Sequence, residues 1–137
     1  MKAPVFSLPY LTEDKSYTLP EQPSKVVILT FWVSWCPDCA VDMPKKEQLF
    51  SSLNTDEVDM LTINVAGREG DRSEAVKYKE KFLSQPTLED DGTAVYDKFG
   101  CTGAPTTVII SPEGEILHQF GDDASFMAIM KAIGEVV

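Results

Sequence analysis

Two cysteines separated by two residues are the part of this sequence with the most readily predicted chemistry. Cys36 and Cys39 follow an apolar run over residues 25–33, rich in branched and aromatic side chains, which predicts a buried strand. A helix is predicted to begin at the cysteines. Residues at i and i+3 in the first turn of a helix are neighbours, so the two sulfurs can share one disulfide bond. The pattern predicts a site of thiol–disulfide exchange.

The two thiols are expected to have different roles. The first turn of a helix has backbone N–H groups without intrahelical partners and the positive end of the helix dipole, and both stabilise a thiolate. We therefore expect Cys36 to be the nucleophile that attacks a substrate disulfide. Cys39 lies further into the helix and is expected to be more buried, which suits the thiol that resolves the mixed disulfide.

A structural zinc site and two unrelated core cysteines are the alternative interpretations of the pair. Zinc would need two more ligands, and the remaining candidates, Cys101 and His118, lack the spacing of metal ligands. We predict no metal site and no cofactor. Cys101 is expected to be a small buried hydrophobic residue, and His118 an exposed or hydrogen-bonded strand residue.

The composition is typical of a compact soluble enzyme. Residues 1–137 are 43% hydrophobic, which is enough for one domain with its own core and no disulfide scaffold. The chain has 12 Lys and Arg residues against 22 Asp and Glu residues, a formal net charge of -10. This acidic balance argues against binding to nucleic acid or to anionic membranes. We expect a monomer.

The first residues and the hydropathy of the chain bear on its location. No run of 18 apolar residues is present, so no membrane insertion is expected, and Met1–Pro4 leads into a strand-like segment instead of a signal peptide. A chain that had lost its leader would look the same. The bacterial cell envelope is favoured if a leader was removed, and the cytoplasm otherwise.

The predicted elements alternate between strands and helices after an N-terminal hairpin. The expected ranges are 4–8 and 16–19 for that hairpin, 25–33 and 58–65 for two strands, 36–54 and 73–82 for two helices, 106–110 and 115–120 for a second hairpin, and 126–136 for a last helix. Pro44 is expected to kink the first helix. Four residues of that helix are expected to face inward: Val41, Leu49, Phe50 and Leu53. The order predicts a three-layer α/β fold with a mixed sheet.

Several motifs resemble those of thioredoxin-fold thiol-disulfide oxidoreductases of the TlpA/ResA branch. They are residues 3–8, Phe31-Trp32-Val33-Ser34-Trp35-Cys36-Pro37-Asp38-Cys39, Met43-Pro44, residues 103–110 and Pro112-Glu113-Gly114, which together span almost the whole chain. The resemblance implies a thioredoxin fold, with a central mixed β-sheet flanked by helices and an N-terminal hairpin extension.

The resemblance also implies where a substrate binds. In this fold the proline that opens the third core strand, here Pro105, is cis and packs against the cysteine pair. The backbone groups of the preceding residue, Ala104, are then free to pair with an extended substrate. Trp35 is expected to form an exposed apolar rim beside the nucleophile, and Pro37 to make the first helical turn rigid.

The proton chemistry of Cys39 is where the sequence departs from its relatives. Thioredoxins place a buried aspartate at the position of Thr30, and a neutral hydroxyl is a poor base. In the TlpA/ResA branch an acidic residue after the second strand serves instead, and residues 64–69 resemble that segment with an insertion. Glu69 is therefore a candidate to manage the proton of Cys39, the alternative being a solvated loop charge.

Asp38 bears on the direction of exchange. A carboxylate near the Cys36 thiolate opposes the helix dipole, destabilises the reduced form and lowers the reduction potential, which favours a reductant. The resemblance implies a role in electron transport to disulfides of exported proteins, such as apocytochromes during cytochrome c maturation, with an upstream thiol as electron donor.

A thiol peroxidase and a non-catalytic metallochaperone of thioredoxin fold are the alternative functions. A peroxidase would have a lone peroxidatic cysteine after a Thr-x-x pattern, which Val33-Ser34-Trp35 does not supply. A copper chaperone would have a wider cysteine spacing and a methionine or histidine ligand nearby.

Overall fold

The apolar run before the cysteines forms the middle strand of a five-stranded sheet. The computed structural model describes residues 1–137. The strands are β1 (Phe6–Pro9), β2 (Ser16–Leu19), β3 (Val26–Trp32), β4 (Val58–Asn64), β5 (Thr87–Glu89), β6 (Thr106–Ile110) and β7 (Ile116–Phe120). The helices are α1 (Pro37–Ser52), α2 (Arg72–Phe82), α3 (Ala94–Lys98) and α4 (Phe126–Val136), and a short 3-10 turn covers Ala66–Arg68.

The central sheet is mixed, as predicted. Its strand order is β5-β4-β3-β6-β7. β3 pairs in parallel with β4 and antiparallel with β6, while β4 pairs in parallel with β5 and β6 antiparallel with β7. Every residue of β3 is buried, because the strand is central and covered on both faces. This explains why its sequence is apolar without alternation.

Two hydrophobic clusters make up the core around the sheet. Val27, Leu29 and Phe31 of β3 belong to the larger cluster, which also contains both cysteines of the candidate site. Val26 and Ile28 belong to the smaller cluster with residues of α4. Successive strand residues point to opposite faces, so one strand contributes to both clusters.

The N-terminal segment crosses the molecule from one edge of the sheet to the other. Its first residues lie beside β7, where the Ala3 N–H donates to the Gly114 carbonyl and Lys2 forms a β-bridge with Glu115. The chain then forms the predicted antiparallel hairpin of β1 and β2. Beyond β1 it reaches β5, where the Leu11 N–H donates to the Thr87 carbonyl at 2.9 Å.

Helix α1 has a different inward face from the predicted one. Val41 was predicted to face inward and this is wrong, because its side chain is 61% exposed. The buried residues are Cys39, Met43 and Lys46, spaced by four and three residues on one face, and Val41 lies on the opposite side. The other three residues predicted to face inward are half-buried against the smaller cluster: Leu49, Phe50 and Leu53. The helix continues through Pro44.

Two short elements were not predicted from the sequence. β5 has three residues and α3 has five, too few for a periodic pattern to stand out. The buried carboxylate of Asp90 lies between them and accepts the backbone N–H groups of Val95 and Tyr96 at 2.9 and 3.0 Å. None of the helices in the structure is both long and apolar enough to cross a membrane.

Replacing Asp90 by alanine is expected to destabilise the fold through the start of α3. The variant leaves two N–H groups of the helix without their acceptor, a loss of about 1 kcal/mol. The matched control is Asp91→Ala, since Asp91 is the exposed neighbour whose carboxylate makes no hydrogen bond. Urea unfolding of both variants measures the difference, and equal midpoints would contradict this role of the carboxylate.

Candidate active site

The two cysteines lie where the central strand gives way to the first helix. β3 ends at Trp32, and α1 begins at Pro37 with Cys36 as the residue that caps it. The backbone N–H of Cys39 donates to Cys36 Sγ at 3.1 Å, so the sulfur takes the place of the usual oxygen cap. Pro37 occupies the first helical position, where a missing N–H has no cost. Both thiols are free, as an exchange site requires in its reduced form.

The proline loop before β6 completes the surroundings of Cys36. The thiol of Cys36 donates to the Ala104 carbonyl at 3.3 Å. The Ala104–Pro105 peptide bond is cis, as expected from the resemblance. Trp35, Cys36, Pro37 and Ala104 line one cleft, and Pro105 lines the adjoining one. The structure thus brings together the residues that were predicted to contact substrate.

Cys39 is more buried than Cys36, as predicted. It is almost inaccessible, whereas Cys36 keeps a small exposed area. Burial raises the pKa of the Cys39 thiol far above its ordinary value, and its hydrogen bond with Cys36 raises it further. At neutral pH Cys39 is therefore a thiol, and it must lose a proton before it can attack.

Glu69 links two loops beside the cysteines. Its Oε2 accepts the backbone N–H of Ser34 at 2.7 Å and the Asn64 side-chain amide at 2.6 Å, and its Oε1 accepts the Ser34 hydroxyl at 2.7 Å. It has no hydrogen bond to either cysteine. The carboxylate therefore fastens the loop that leads into the site to the end of β4. Its role in the proton chemistry of Cys39 stays a prediction.

Arg68 is a site residue that sequence reasoning missed. Its backbone carbonyl accepts the indole N–H of Trp35 at 2.8 Å, which holds the exposed tryptophan, 58% accessible, over the cleft. The Arg68 guanidinium lies 5.4 Å from the centre of the Tyr96 ring and donates to its hydroxyl at 3.0 Å. Trp32, by contrast, is fully buried. The contact of Trp35 is to a backbone group, so no residue type in the sequence could reveal it.

A buried ion pair below Cys39 was also missed. The Lys46 side chain is fully buried, and its ammonium lies 2.8 Å from the Asp42 carboxylate and donates to the Thr107 hydroxyl at 2.5 Å. Thr107 pairs across the sheet with Thr30, the residue at the position of the thioredoxin aspartate, whose buried hydroxyl has no hydrogen-bond partner. The spacing of Lys46 from Cys39, seven residues along the helix, could have revealed it.

Of the remaining reactive residues, Cys101 and His118 lie outside the clefts, and Asp38 borders them. Cys101 is half-buried against the larger hydrophobic cluster, and burial raises the pKa of its thiol to about 11. His118 is half-buried and stacks on Phe120 with ring centres 5.7 Å apart. Asp38 is exposed in the first turn of α1 and lines both clefts.

Comparison with known proteins bears out the resemblance drawn from the motifs. The AhpC/TSA family matches residues 1–119. Thiol-disulfide oxidoreductase ResA of Halalkalibacterium halodurans is 32% identical over 106 residues, which cover 77% of this chain and 58% of that protein. This chain therefore spans less than two thirds of the length of that relative.

Solved structures share the fold over nearly the whole chain. The exposed lipoprotein thioredoxin Etrx1 of Streptococcus pneumoniae has a TM-score of 0.79 and 28% identity, with 96% of this chain and 99% of that chain covered. StoA of Bacillus subtilis has a TM-score of 0.80 and 21% identity, with 96% and 97% covered. The thioredoxin fold predicted from the sequence is confirmed.

Removing the Glu69 carboxylate is expected to loosen the loop before α1. Glu69→Ala leaves the Ser34 N–H and the Asn64 amide without their acceptor, and the free energy of unfolding should fall by about 1–3 kcal/mol. Glu80→Ala is the control, because Glu80 is exposed and has no partner; a change within about 0.5 kcal/mol is expected there. Urea unfolding measures both, and an unchanged Glu69→Ala would refute the linking role.

Proposed function

We propose, from the premise that this chain belongs to the AhpC/TSA family, that it is a thiol–disulfide oxidoreductase acting on protein substrates. The observation that carries the proposal is the placement of the two sulfurs. Cys36 caps α1 at the edge of a cleft, and Cys39 lies one helical turn further along and is buried. The ResA relative is itself named a thiol-disulfide oxidoreductase, which agrees with it.

The first step is attack by Cys36. An extended substrate segment pairs with the backbone of Ala104, with Trp35 and Pro37 forming the rim that contacts its side chains. The Cys36 sulfur forms a bond to one substrate sulfur, and the other leaves with the electron pair as a thiolate. The Cys39 N–H, 3.1 Å from Cys36 Sγ, stabilises the negative charge on the attacking sulfur.

The second step is attack by Cys39. Its sulfur forms a bond to Cys36, the bond between Cys36 and the substrate breaks, and the substrate leaves as a second thiolate. The protein ends with a Cys36–Cys39 disulfide, which an upstream thiol donor reduces. Glu69 belongs to this site as the residue that holds the loop before Cys36 in place, through Ser34. The sequence-based prediction that it also manages the Cys39 proton is tested with Glu69→Gln.

Net transfer of electrons to the substrate is the direction we propose. The exposed carboxylate of Asp38 lines the cleft that holds Cys36, and Asp122 lines it as well. Negative charge beside the cleft destabilises a thiolate there, so it disfavours the reduced form and favours giving up electrons. The protein would then act as a reductant.

The substrates and the location follow from the relatives. We infer that the protein works outside the cytoplasm, since a structural relative at 28% identity is described as an exposed lipoprotein. Disulfides of exported proteins, apocytochromes among them, are then the substrates. We further propose that residues 1–137 act as one domain and as a monomer, without a cofactor.

Trapping experiments separate the roles of the two cysteines. In Cys39→Ser the mixed disulfide cannot be resolved, so incubation with an oxidised peptide should leave the peptide attached to Cys36. Cys36→Ser should trap little, because burial raises the pKa of both remaining thiols, Cys39 and Cys101, and keeps them protonated. Mass spectrometry of the intact proteins measures the adduct. Equal trapping by both variants would contradict the assignment.

Cys101→Ser is the matched control for these variants. It removes a thiol of similar size outside the cleft, and it should keep the dithiothreitol-driven reduction of insulin unchanged. A parallel assay of peroxide consumption distinguishes the peroxidase alternative. Peroxide consumption without insulin reduction would overturn the proposed activity.

A further inference from the structure

Lys46 is a fully buried lysine that the proposed mechanism does not use. Its side chain has 0% exposure, although lysine is among the residues least often buried. Removing an ammonium from water costs several kcal/mol unless a charged partner and further hydrogen bonds accompany it. A lysine kept in the interior directly behind a reactive thiol therefore needs a reason.

The helix directs Lys46 toward the cysteines. Side chains of an α-helix point back toward its N-terminus, so Lys46 reaches to the turn that holds Asp42, and Asp42 reaches to the turn that holds Cys39. The ammonium lies 2.8 Å from Asp42 Oδ2, and the Asp42 side chain is only 12% exposed. Cys39, Asp42 and Lys46 thus form a continuous row along one helix.

The sheet residues next to Lys46 are uncharged. The Lys46 ammonium donates to Thr107 of β6, and the neighbouring residue across the sheet is the neutral Thr30. Outside this row, the titratable groups that interact with Cys39 are Cys36 and Tyr78 of α2, and Glu47 of α1 interacts with Tyr78. Glu47 is occupied, because its carboxylate accepts hydrogen bonds from Ser84 and Gln85.

Asp42 is the remaining carboxylate in this group. Its Oδ2 is buried and makes no well-directed hydrogen bond, the Lys46 ammonium being its charged neighbour. Tyr78 cannot serve, since burial raises the pKa of its hydroxyl above the ordinary value and keeps it protonated. Asp42 lies three residues after Cys39, which makes their side chains neighbours on the helix.

We propose that Asp42, held in place by Lys46, accepts the proton of Cys39 in the resolving step, directly or through one water molecule. The proposal rests on the proposed function and assigns this proton to the helix itself instead of to the loop that carries Glu69. Lys46 is a positioning residue, because it acts through Asp42 by fixing the carboxylate and balancing its charge.

The step balances in atoms and electrons. The S–H bond of Cys39 breaks and its proton moves to the Asp42 carboxylate. The freed electron pair forms the bond to Cys36 Sγ, and the bond between Cys36 and the substrate breaks, so that the substrate sulfur leaves as a thiolate. Asp42 then gives its proton to the departing thiolate or to water. No further reactant is needed.

A chromogenic aryl disulfide, dithiobisnitrobenzoate, resolves the two steps in one experiment. Attack by Cys36 releases a first coloured thiolate, and attack by Cys39 on the mixed disulfide releases a second. Rapid mixing with the reduced full chain, in a Cys101→Ser background, gives the rate of each phase. Asp42→Asn should slow the second phase by about tenfold or more and leave the first within about twofold.

The Asp42→Asn variant separates proton transfer from charge alone. If Asp42 acted only as a negative charge near sulfur, its removal would make the Cys39 thiolate easier to form and the second phase faster. Without the acceptor, the second phase should also depend on the rare free thiolate and rise about tenfold per pH unit around neutrality. The unmodified protein should show a flatter profile.

Lys46 is tested with a variant that keeps a neutral interior. Lys46→Met alone leaves a buried carboxylate without its partner. It is therefore combined with Asp42→Leu in a double variant, because apolar replacement of a buried ion pair preserves folding. The double variant should slow the second phase about as much as Asp42→Asn does, because the two residues act as a unit. Lys131→Met, at an exposed lysine of α4, is the control and should change neither phase.

The rapid-mixing experiment distinguishes Asp42 from Glu69 as the proton acceptor, and both from a failure of the exchange function. A normal second phase in the double variant, or equal slowing of both phases, would overturn the proposal. Slowing by Glu69→Gln but not by Asp42→Asn would assign the proton to Glu69 instead. Release of only one coloured thiolate by the unmodified protein would instead refute the exchange function itself.

Discussion

The hydrogen bond from the Cys39 backbone to the Cys36 sulfur is the interaction on which the site depends. It closes the first turn of α1 shortly after the fully buried strand β3, so Cys36, the proposed nucleophile, occupies the position where a helix favours negative charge. The same bond fixes the two sulfurs one helical turn apart. Everything else at the site, including the cleft and the ion pair, is arranged around the beginning of this helix.

Much of the fold and part of the site could be predicted because they depend on local patterns. Each of these patterns lies within a short stretch of sequence: the apolar run of β3, the two hairpins, and the spacing of Cys36 and Cys39. The exposed Trp35 and the cis bond before Pro105 followed from the motif resemblance. The strands β4 and β6, which flank the site, were predicted almost to the residue.

The rest depends on contacts between distant residues. Val41 was predicted to face inward because apolar residues usually do, whereas Lys46 faces inward because an ion pair and a hydroxyl meet its charge there. The bond from Trp35 to the Arg68 carbonyl involves a backbone group, which carries no signature in residue type. Charge in the interior and contacts to backbone are the features that pattern reasoning misses.

The path of the N-terminal segment has a consequence for solubility. Both outer strands of an open sheet present unpaired N–H and C=O groups that can recruit a strand from another molecule. Residues beside Ala3 occupy the margin along β7, and those beside Leu11 occupy the margin along β5. One stretch of chain thus protects the beginning of β7 and part of β5 against intermolecular β-pairing.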